Sequence, residues 1–509
     1  MQVVLETQSI VVPARPDIVN LFPDIQPFNL GEGMIPHTPA STVMLRNLGF
    51  DAPSAVLHHY EWPHPPWKPP FEVQKETVAM LTESQRAYVL SGMGVGKTAC
   101  PLWAFDYLKG LGMASKMLVV APLSTLKFTW GRECFDFVPH LKVSVVYGTK
   151  DQRLKALAED ADIYIINHDG VATVIRELEK RTDIDVLCLD ELAVYRNASG
   201  RSKTMQKFAQ TKTWVWGMTG APTPNAPTDV WGQARIVTPS RVPPFFGRFR
   251  EKLMVKINAF KWVPRPDATE QAFEVLQPSV RFALEDVTEL PEYISRRIDV
   301  DLGPKQKLVY DQLKQHCFSL IAGQTITAVN AGAALNKLLQ VSLGWVYAND
   351  GRVVQLDNDD RIAALLDAID STTGKVLVFS AFKHALAGLE AEIRGAGHDV
   401  VTVSGDTPAG KRGEIFHAFQ NTSQYRILNA HPQCLAHGLT LTTADTIIWF
   451  GPITSLEIYD QANARIRRVG QKRKQQFLHL QATPTEKKIY SLLINKQDVQ
   501  GQLLDMFRA

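Results

Sequence analysis

Ten short apolar runs, in two series of five, constrain this chain more than any other feature. The first series is Met117–Ala121, Val143–Tyr147, Asp162–Ile166, Val186–Leu189 and Trp214–Met218; the second is Val376–Ser380, Val400–Val403, Tyr425–Leu428, Thr446–Phe450 and Gln476–Leu480. The runs are mostly apolar at consecutive positions and do not alternate, which is the pattern of strands buried on both faces, and helical stretches separate them. A parallel sheet covered by helices serves such a rhythm, and two series mean two α/β lobes. Between the series, Leu308–Phe318 and Ala333–Gly344 carry apolar residues at helical spacing, so helical elements are expected to link or decorate the lobes.

The segment richest in chemistry precedes the first series. Tyr88–Val89–Leu90 reads as a strand and Thr98–Leu108 as a helix, with LSGMGVGKT spanning Leu90–Thr98. Gly92, Gly94 and Gly96 let the backbone turn tightly and aim N–H groups at phosphate oxygens, and the helix N-terminus adds positive potential. Met93, Gly94, Val95, Gly96, Lys97 and Thr98 are therefore the candidate phosphate-binding residues, with Lys97 reaching the β- and γ-phosphates and Thr98 a ligand of Mg²⁺. The common G-x-x-x-x-G-K-[ST] pattern has glycine where this chain has Ser91, so the match is to a G-x-G-K-T variant.

Such a loop needs a metal-holding acid on a neighbouring strand. Val186–Leu189 leads directly into Asp190–Glu191, at the end of a buried strand where ligands bind in sheets of this kind. Asp190 is the candidate Mg²⁺ holder, and Glu191 the residue that orients and deprotonates an attacking water. Positive charge for the γ-phosphate is offered by Gln461-x-x-x-Arg465-x-x-Arg468-x-Gly-Gln471. Arg465 and Arg468 are three apart, so on a helix they share a face, and two planar, permanently charged guanidiniums suit a phosphate.

Taken in order, these stretches resemble the Swi/Snf-related ATPases of helicase superfamily two, from about Phe71 to Gln497. Gln74 stands where that family's adenine-reading glutamine lies; SGMGVGKT is similar to its motif I, LVVAPLSTL with Trp130 and Glu133 to motif Ia, and DIYIINHDG to motif Ib. LDELAVYRNASGRSK resembles motif II, MTGAPTPN with Trp231 motif III, KVLVFSAF motif IV, HGLTLTTAD motif V and QANARIRRVGQ motif VI. LRNLGF, LKFTWGRE and WGMTGAPTPNAPTDVWGQ resemble the compact, phage-encoded branch. Two positions depart from the family pattern: Ala193 replaces the histidine of Asp-Glu-Ala-His, which puts its relay to motif III in doubt, and Thr440 replaces a motif V asparagine.

The resemblance implies two RecA-like lobes. ATP and Mg²⁺ are expected between Lys97 on one lobe and Gln461, Arg465 and Arg468 on the other, with nucleic acid across both lobes on the surface remote from ATP. Nucleic-acid contacts are expected mainly at phosphates, the candidates being Ser124, Thr125 and Asn167 on lobe one and Ser380, Gly438 and Thr440 on lobe two. The implied activity is that of an ATP-dependent DNA translocase or helicase on duplex or branched DNA, independent of sequence, serving branch migration, DNA remodelling or protein displacement. A strand-separating helicase on forked DNA, a motor subunit of a larger complex and a DNA-binding scaffold are the alternatives.

Composition sets the outer limits. Of 509 residues, 45% are hydrophobic and 21% charged, enough for real cores. No apolar run reaches the ~18 residues of a membrane span. With 55 basic and 52 acidic residues the net charge is +3, so a nucleic-acid face has to be concentrated on one side. Cys100, Cys134, Cys188, Cys317 and Cys434 are widely spaced with no C-x-x-C pair, which excludes a zinc ribbon and fits reduced thiols. MQVVLETQSIVV lacks the basic start and cleavage site of a secretory signal, so a cytoplasmic protein is expected, in the host cell if a phage encodes it. The expected layout is an accessory region over 1–65, lobe one over 66–239, helical protrusions and linker over 240–345 and lobe two over 346–509, in a monomer. His58–Phe71, with five prolines among aromatics, reads as a stiff extended connector. Residues 1–65 read as a small strand-rich cap open to DNA structure or a protein partner.

Overall fold

Short strands punctuated by proline and glycine open the chain and pair with one another. β1 (Val3–Val4), β2 (Ser9–Pro13), β3 (Gln26–Pro27) and β4 (Glu32–Pro36) form an antiparallel sheet in the order β1-β2-β4-β3. The computed structural model describes residues 1–224, 226–258, 262–322, 328–347, 352–435 and 440–496, divided into two units, Met1–Val287 and Thr288–Ala509. In the small N-terminal sheet, Ile10, Val12 and Ile35 turn inward onto Ile18, Leu45 and Ala52. The helix Pro39–Asn47 that follows is capped reciprocally: Thr38 N–H donates to Ser41 Oγ at 2.9 Å and Ser41 N–H to Thr38 Oγ1 at 3.2 Å.

The proline segment is a strap, not a loose linker. Its first residues, His58 and His59, close a short helix, Ala55–His59, and the chain then runs outside helices and strands to Phe71. Trp62 is buried edge-on against Trp103 at 5.7 Å, and Trp103 Nε1 donates to the Pro63 carbonyl at 2.8 Å. Tyr60 donates to Asp106 at 2.6 Å, and Lys68 pairs with Glu133 at 3.1 Å. A proline has no N–H to give, so side chains of the helix Ala99–Gly110 and its neighbour Arg132–Phe137 hold the segment in place.

The main sheet of the first unit contains β5 (Arg86–Val89), β6 (Lys116–Ala121), β7 (Val143–Val146), β8 (Ile163–Asn167), β9 (Ile184–Asp190) and β10 (Trp214–Met218). After an antiparallel hairpin, β11 (Met254–Lys256) with β12 (Trp262–Pro264), the chain adds β13 (Ser279–Val280). The order is β13-β5-β10-β9-β6-β8-β7 and every pair is parallel. Alternate residues serve opposite faces: Leu118, Val120, Leu187 and Leu189 join one core, and Met117, Val119, Val186 and Cys188 the other. That is what unbroken apolar runs require. Burial pushes the Cys100 and Cys134 thiols up to about 12, so they sit in this core as neutral groups.

The second unit opens with β14 (Tyr293–Asp299), followed by the hairpin β15 (Trp345–Tyr347) with β16 (Val353–Gln355). Its main sheet adds β17 (Lys375–Phe379), β18 (Val400–Val403), β19 (Ile427–Ala430), β20 (Ala444–Trp449) and β21 (Gln475–Gln481), in the order β14-β21-β20-β17-β19-β18, again parallel throughout. Leu377 and Phe379 pack on one face, Val376 and Val378 on the other. Arg361 and Glu486 form a buried pair, Nη2 reaching the two carboxylate oxygens at 2.9 and 2.8 Å. The helices expected from spacing, Pro304–Ala322 and Ala328–Leu343, belong to this unit, whereas residues 240–287 belong to the first.

Candidate nucleotide site and nucleic-acid interface

The phosphate loop leaves β5 and enters the helix Ala99–Gly110 one residue later than expected. Gly96 has φ +72°, and a Cβ there would lie 2.4 Å from Gln74 Nε2. Gln74 is buried, its Nε2 donating to the Gly96 carbonyl and its Oε1 accepting from Phe71 N–H, each at 2.9 Å. The amide expected to read adenine thus braces the loop. Val95 is buried, while Met93, Gly94, Lys97 and Thr98 are half-exposed. Lys97 Nζ folds back over the loop, donating to the carbonyls of Ser91 at 2.7 Å and Gly92 at 3.2 Å.

Ser91, the departure from the common pattern, has a clear use. Its Oγ accepts from Phe282 N–H at 3.1 Å, while Gly92 N–H donates to the Phe282 carbonyl at 2.7 Å and Leu90 N–H to that of Val280 at 2.8 Å. The residues from β13 onward thus brace the loop from a distance that sequence spacing does not reveal.

Asp190 ends β9. In the sheet register Met218 of β10 lies opposite Asp190 on one side and Val89 on the other, so the loop and the acidic pair share one edge. A Cβ on Gly220, just past β10, would stand 3.4 Å from Lys97 Nζ. Asp190 Oδ1 accepts from Glu191 N–H at 3.1 Å and Oδ2 from Trp130 Nε1 at 2.9 Å. Glu191 itself has φ +53°, a left-handed conformation that costs a non-glycine residue about 1–3 kcal/mol. Around Ala193 the contact with β10 is apolar: a Cβ on Gly217 would meet Leu192 Cδ2 at 2.5 Å.

In the second unit the helix Leu456–Asn463 carries Gln461 but stops before both arginines, so helical spacing does not put Arg465 and Arg468 on one face. The reason is local. Arg465 Nε donates to the Gln461 carbonyl at 2.7 Å, the acceptor a continuing helix would need, and Arg465 N–H turns to Ala462 at 3.1 Å. Arg465 and Gln461 are buried. Arg468 is half-exposed and its Nη1 donates to Thr440 Oγ1 at 3.1 Å. Thr440, expected at nucleic acid remote from ATP, therefore sits beside a candidate phosphate-binding arginine.

The other nucleic-acid candidates divide by exposure. Ala121 and Asn167 are register partners, which sets Ser124, Thr125 and Asn167 at one edge of the first sheet. Ser124 is exposed, but Thr125 is buried with its hydroxyl on the Pro122 carbonyl at 2.8 Å. Asn167 is buried, and among the described residues its Oδ1 has no hydrogen-bond partner. Ser380 is buried, so its hydroxyl does not face solvent as expected, and Gly438 lies outside the described residues.

A family model of the SNF2-related domain matches residues 73–343, more than half of the chain, and one of the helicase conserved C-terminal domain matches residues 360–470. The chain belongs to the SNF2-related family. Protein p41 of Acyrthosiphon pisum secondary endosymbiont phage 1 is 28% identical over 431 residues, 78% of this chain and 88% of p41. The uncharacterized ATP-dependent helicase MG018 of Mycoplasma genitalium is 22% identical over 445 residues, 85% of this chain but 42% of MG018, so this chain spans less than half of that relative. The structure of S. cerevisiae Dbp5 bound to RNA and ADP BeF3 matches with a TM-score of 0.53 at 13% identity, covering 87% of this chain and 93% of that one, a likeness of fold alone.

As an SNF2-related protein the chain is a helicase-like, nucleic-acid-dependent ATPase. The family implies ATP with a divalent metal, and the residues of this SNF2-related chain fit both. The donor set combines loop amides, the Lys97 ammonium, the Thr98 hydroxyl, which the helix start does not use as a cap, and the Asp190 carboxylate. Among the described residues no cluster of His, Cys, Asp or Glu could hold a metal by itself. One carboxylate and a hydroxyl completed by nucleotide phosphates is the usual manner of holding Mg²⁺. When bound, the metal would neutralise charge on the β- and γ-phosphates.

Two features escaped the sequence reading. Trp130, named above only with the motif Ia stretch, reaches Asp190, a contact that its local spacing does not announce. Tyr147, 44% exposed at the end of β7, is flanked by Lys127 Nζ at 5.9 Å and Arg153 Cζ at 5.8 Å, a basic–aromatic group scattered over 27 residues of sequence. Among the described residues no helix is long and apolar enough to cross a membrane.

Proposed function

We propose that this chain is an ATP-driven motor that moves along duplex or branched DNA without regard to sequence, shifting junctions, remodelling DNA or displacing bound proteins. The observation that carries the reading is the row Val89–Met218–Asp190, which sets the phosphate loop and the acidic pair at one edge of a parallel sheet in an SNF2-related chain. In this reading Lys97 and the loop amides hold the phosphates of ATP, Thr98 and Asp190 hold Mg²⁺, and Glu191 orients water. Arg465 and Arg468 bring charge to the γ-phosphate, Gln461 adds a neutral amide beside them, and Gln74 sets the loop. Ser124 and Asn167, with the Tyr147 group, meet the DNA backbone, so affinity falls as salt rises, while Thr440 stays with Arg468. The likeness to phage protein p41 supports work in a host cytoplasm.

The test is ATP hydrolysis measured without nucleic acid and with single strand, blunt duplex and four-way junction, with Lys97→Ala as control. Stimulation by duplex or junction, absent in the variant, is expected. Stimulation by single strand alone would replace this reading with an unwinding helicase, and no hydrolysis with any substrate would sink the autonomous motor.

A further inference from the structure

Both oxygens of the Asp190 carboxylate accept N–H bonds, and the two donors differ in kind. Oδ1 takes the backbone N–H of Glu191. Oδ2 takes the indole N–H of Trp130 at 2.9 Å, a donor 60 residues away in sequence. Trp130 has no exposed surface and lies in the core cluster that backs β9, with Leu126, Cys134 and Cys188. The backbone that carries it is unusual. Leu126–Gly131 forms a widened turn with hydrogen bonds five residues apart before the chain narrows into the helix Arg132–Phe137. Such turns are rare and gather at functional sites, because the extra residue re-aims a side chain that an ordinary helix would point elsewhere. The indole fills space in this buried apolar cluster and also aims its N–H at the carboxylate that ends β9.

We propose that Trp130 is a positioning residue for the nucleotide–metal site: its indole N–H fixes the rotation of the Asp190 carboxylate, so that the carboxylate meets a divalent cation in one orientation. The inference rests on the reading of Asp190 as the cation holder. Trp130 acts through Asp190 and touches neither nucleotide nor metal. Residues that orient metal-holding carboxylates typically change metal affinity or activity about 10–100-fold when lost.

The experiment uses the full chain and a fluorescent, non-hydrolysable ATP analogue. Binding is followed as Mg²⁺ is titrated at fixed nucleotide, beside a thermal melt of each variant. In Trp130→Phe the half-saturating Mg²⁺ concentration should rise about 10–100-fold, while analogue binding in EDTA stays as in the natural chain. Trp214→Phe, which removes an indole donor from the Met113 carbonyl at 3.4 Å at the start of β10, should leave the titration unchanged. If Trp130→Phe melts early, benzothienylalanine at position 130, which keeps the ring shape and lacks the N–H, takes its place with the same expected shift. A Trp130 variant that titrates like the natural chain while Asp190→Asn shifts would overturn the inference alone. Mg²⁺-independent binding in the natural chain, or an Asp190→Asn that titrates normally, would overturn the reading of Asp190 and this inference with it.

Discussion

Gly96 carries two constraints at once: a backbone angle of φ +72° and a Gln74 amide 2.4 Å from where a Cβ would sit. Gly96→Ala should cost about 1–2 kcal/mol from the left-handed conformation alone and release Gln74 from the loop, so melting should fall and analogue affinity should drop together. His479 supplies a pH dependence. It is fully buried between the Arg296 carbonyl and the Tyr459 hydroxyl, and burial pulls its pKa down to about 4. An unfolded histidine takes up its proton near pH 6.5, so between these values the unfolded chain binds a proton that the folded one refuses. Stability is therefore full above about pH 6.5 and falls as the pH drops toward 4, by about 3 kcal/mol from this residue. Denaturant midpoints at pH 7 and 4.5 should show that slope in the natural chain and a shallower one in His479→Gln. At this scale Lys97, Asp190 and Glu191 were legible as candidates, because a loop and a strand end are short-range patterns. Trp130 on Asp190 and Ser91 on Phe282 were not, because their partners lie 60 and 191 residues away.

Elements were readable where burial is two-sided. β10 and β18 coincide with their apolar runs, and β6, β9 and β21 differ by a residue or two at the ends. β14 was invisible because YISRRID is exposed almost throughout and earns its place only by pairing with β21. The end of the helix before Arg465 was invisible for another reason: a guanidinium took a backbone acceptor, a choice that helical periodicity does not encode. The composition of the proline strap predicts a stiff connector, and what it does not show is how firmly side chains moor it. Trp103→Phe removes the donor to Pro63 while keeping an aromatic ring against Trp62. Limited proteolysis should then cut residues 60–71 several-fold faster with little change in the far-ultraviolet spectrum. A cutting rate equal to that of the natural chain would mean that packing alone moors the strap.

At the scale of the whole molecule, the first unit closes on itself through its last strand. β13 lies beside β5, and the residues after it brace the phosphate loop. A fragment of residues 1–287 should fold and bind the ATP analogue; a fragment ending at residue 239 should leave β5 as an open edge, lose analogue binding and aggregate. Calorimetry and light scattering on the two fragments distinguish these outcomes. The same feature has a consequence for synthesis. The loop and its brace are 191 residues apart, so at roughly 5–20 residues per second a ribosome needs about 10–40 s to deliver the second after the first. A nascent chain carries the whole G-x-G-K-T stretch through that interval without the support that shapes it. Ribosome-bound chains halted before Phe282 should not retain nucleotide, and those halted well past it should, which would keep half-made chains silent on the polysome.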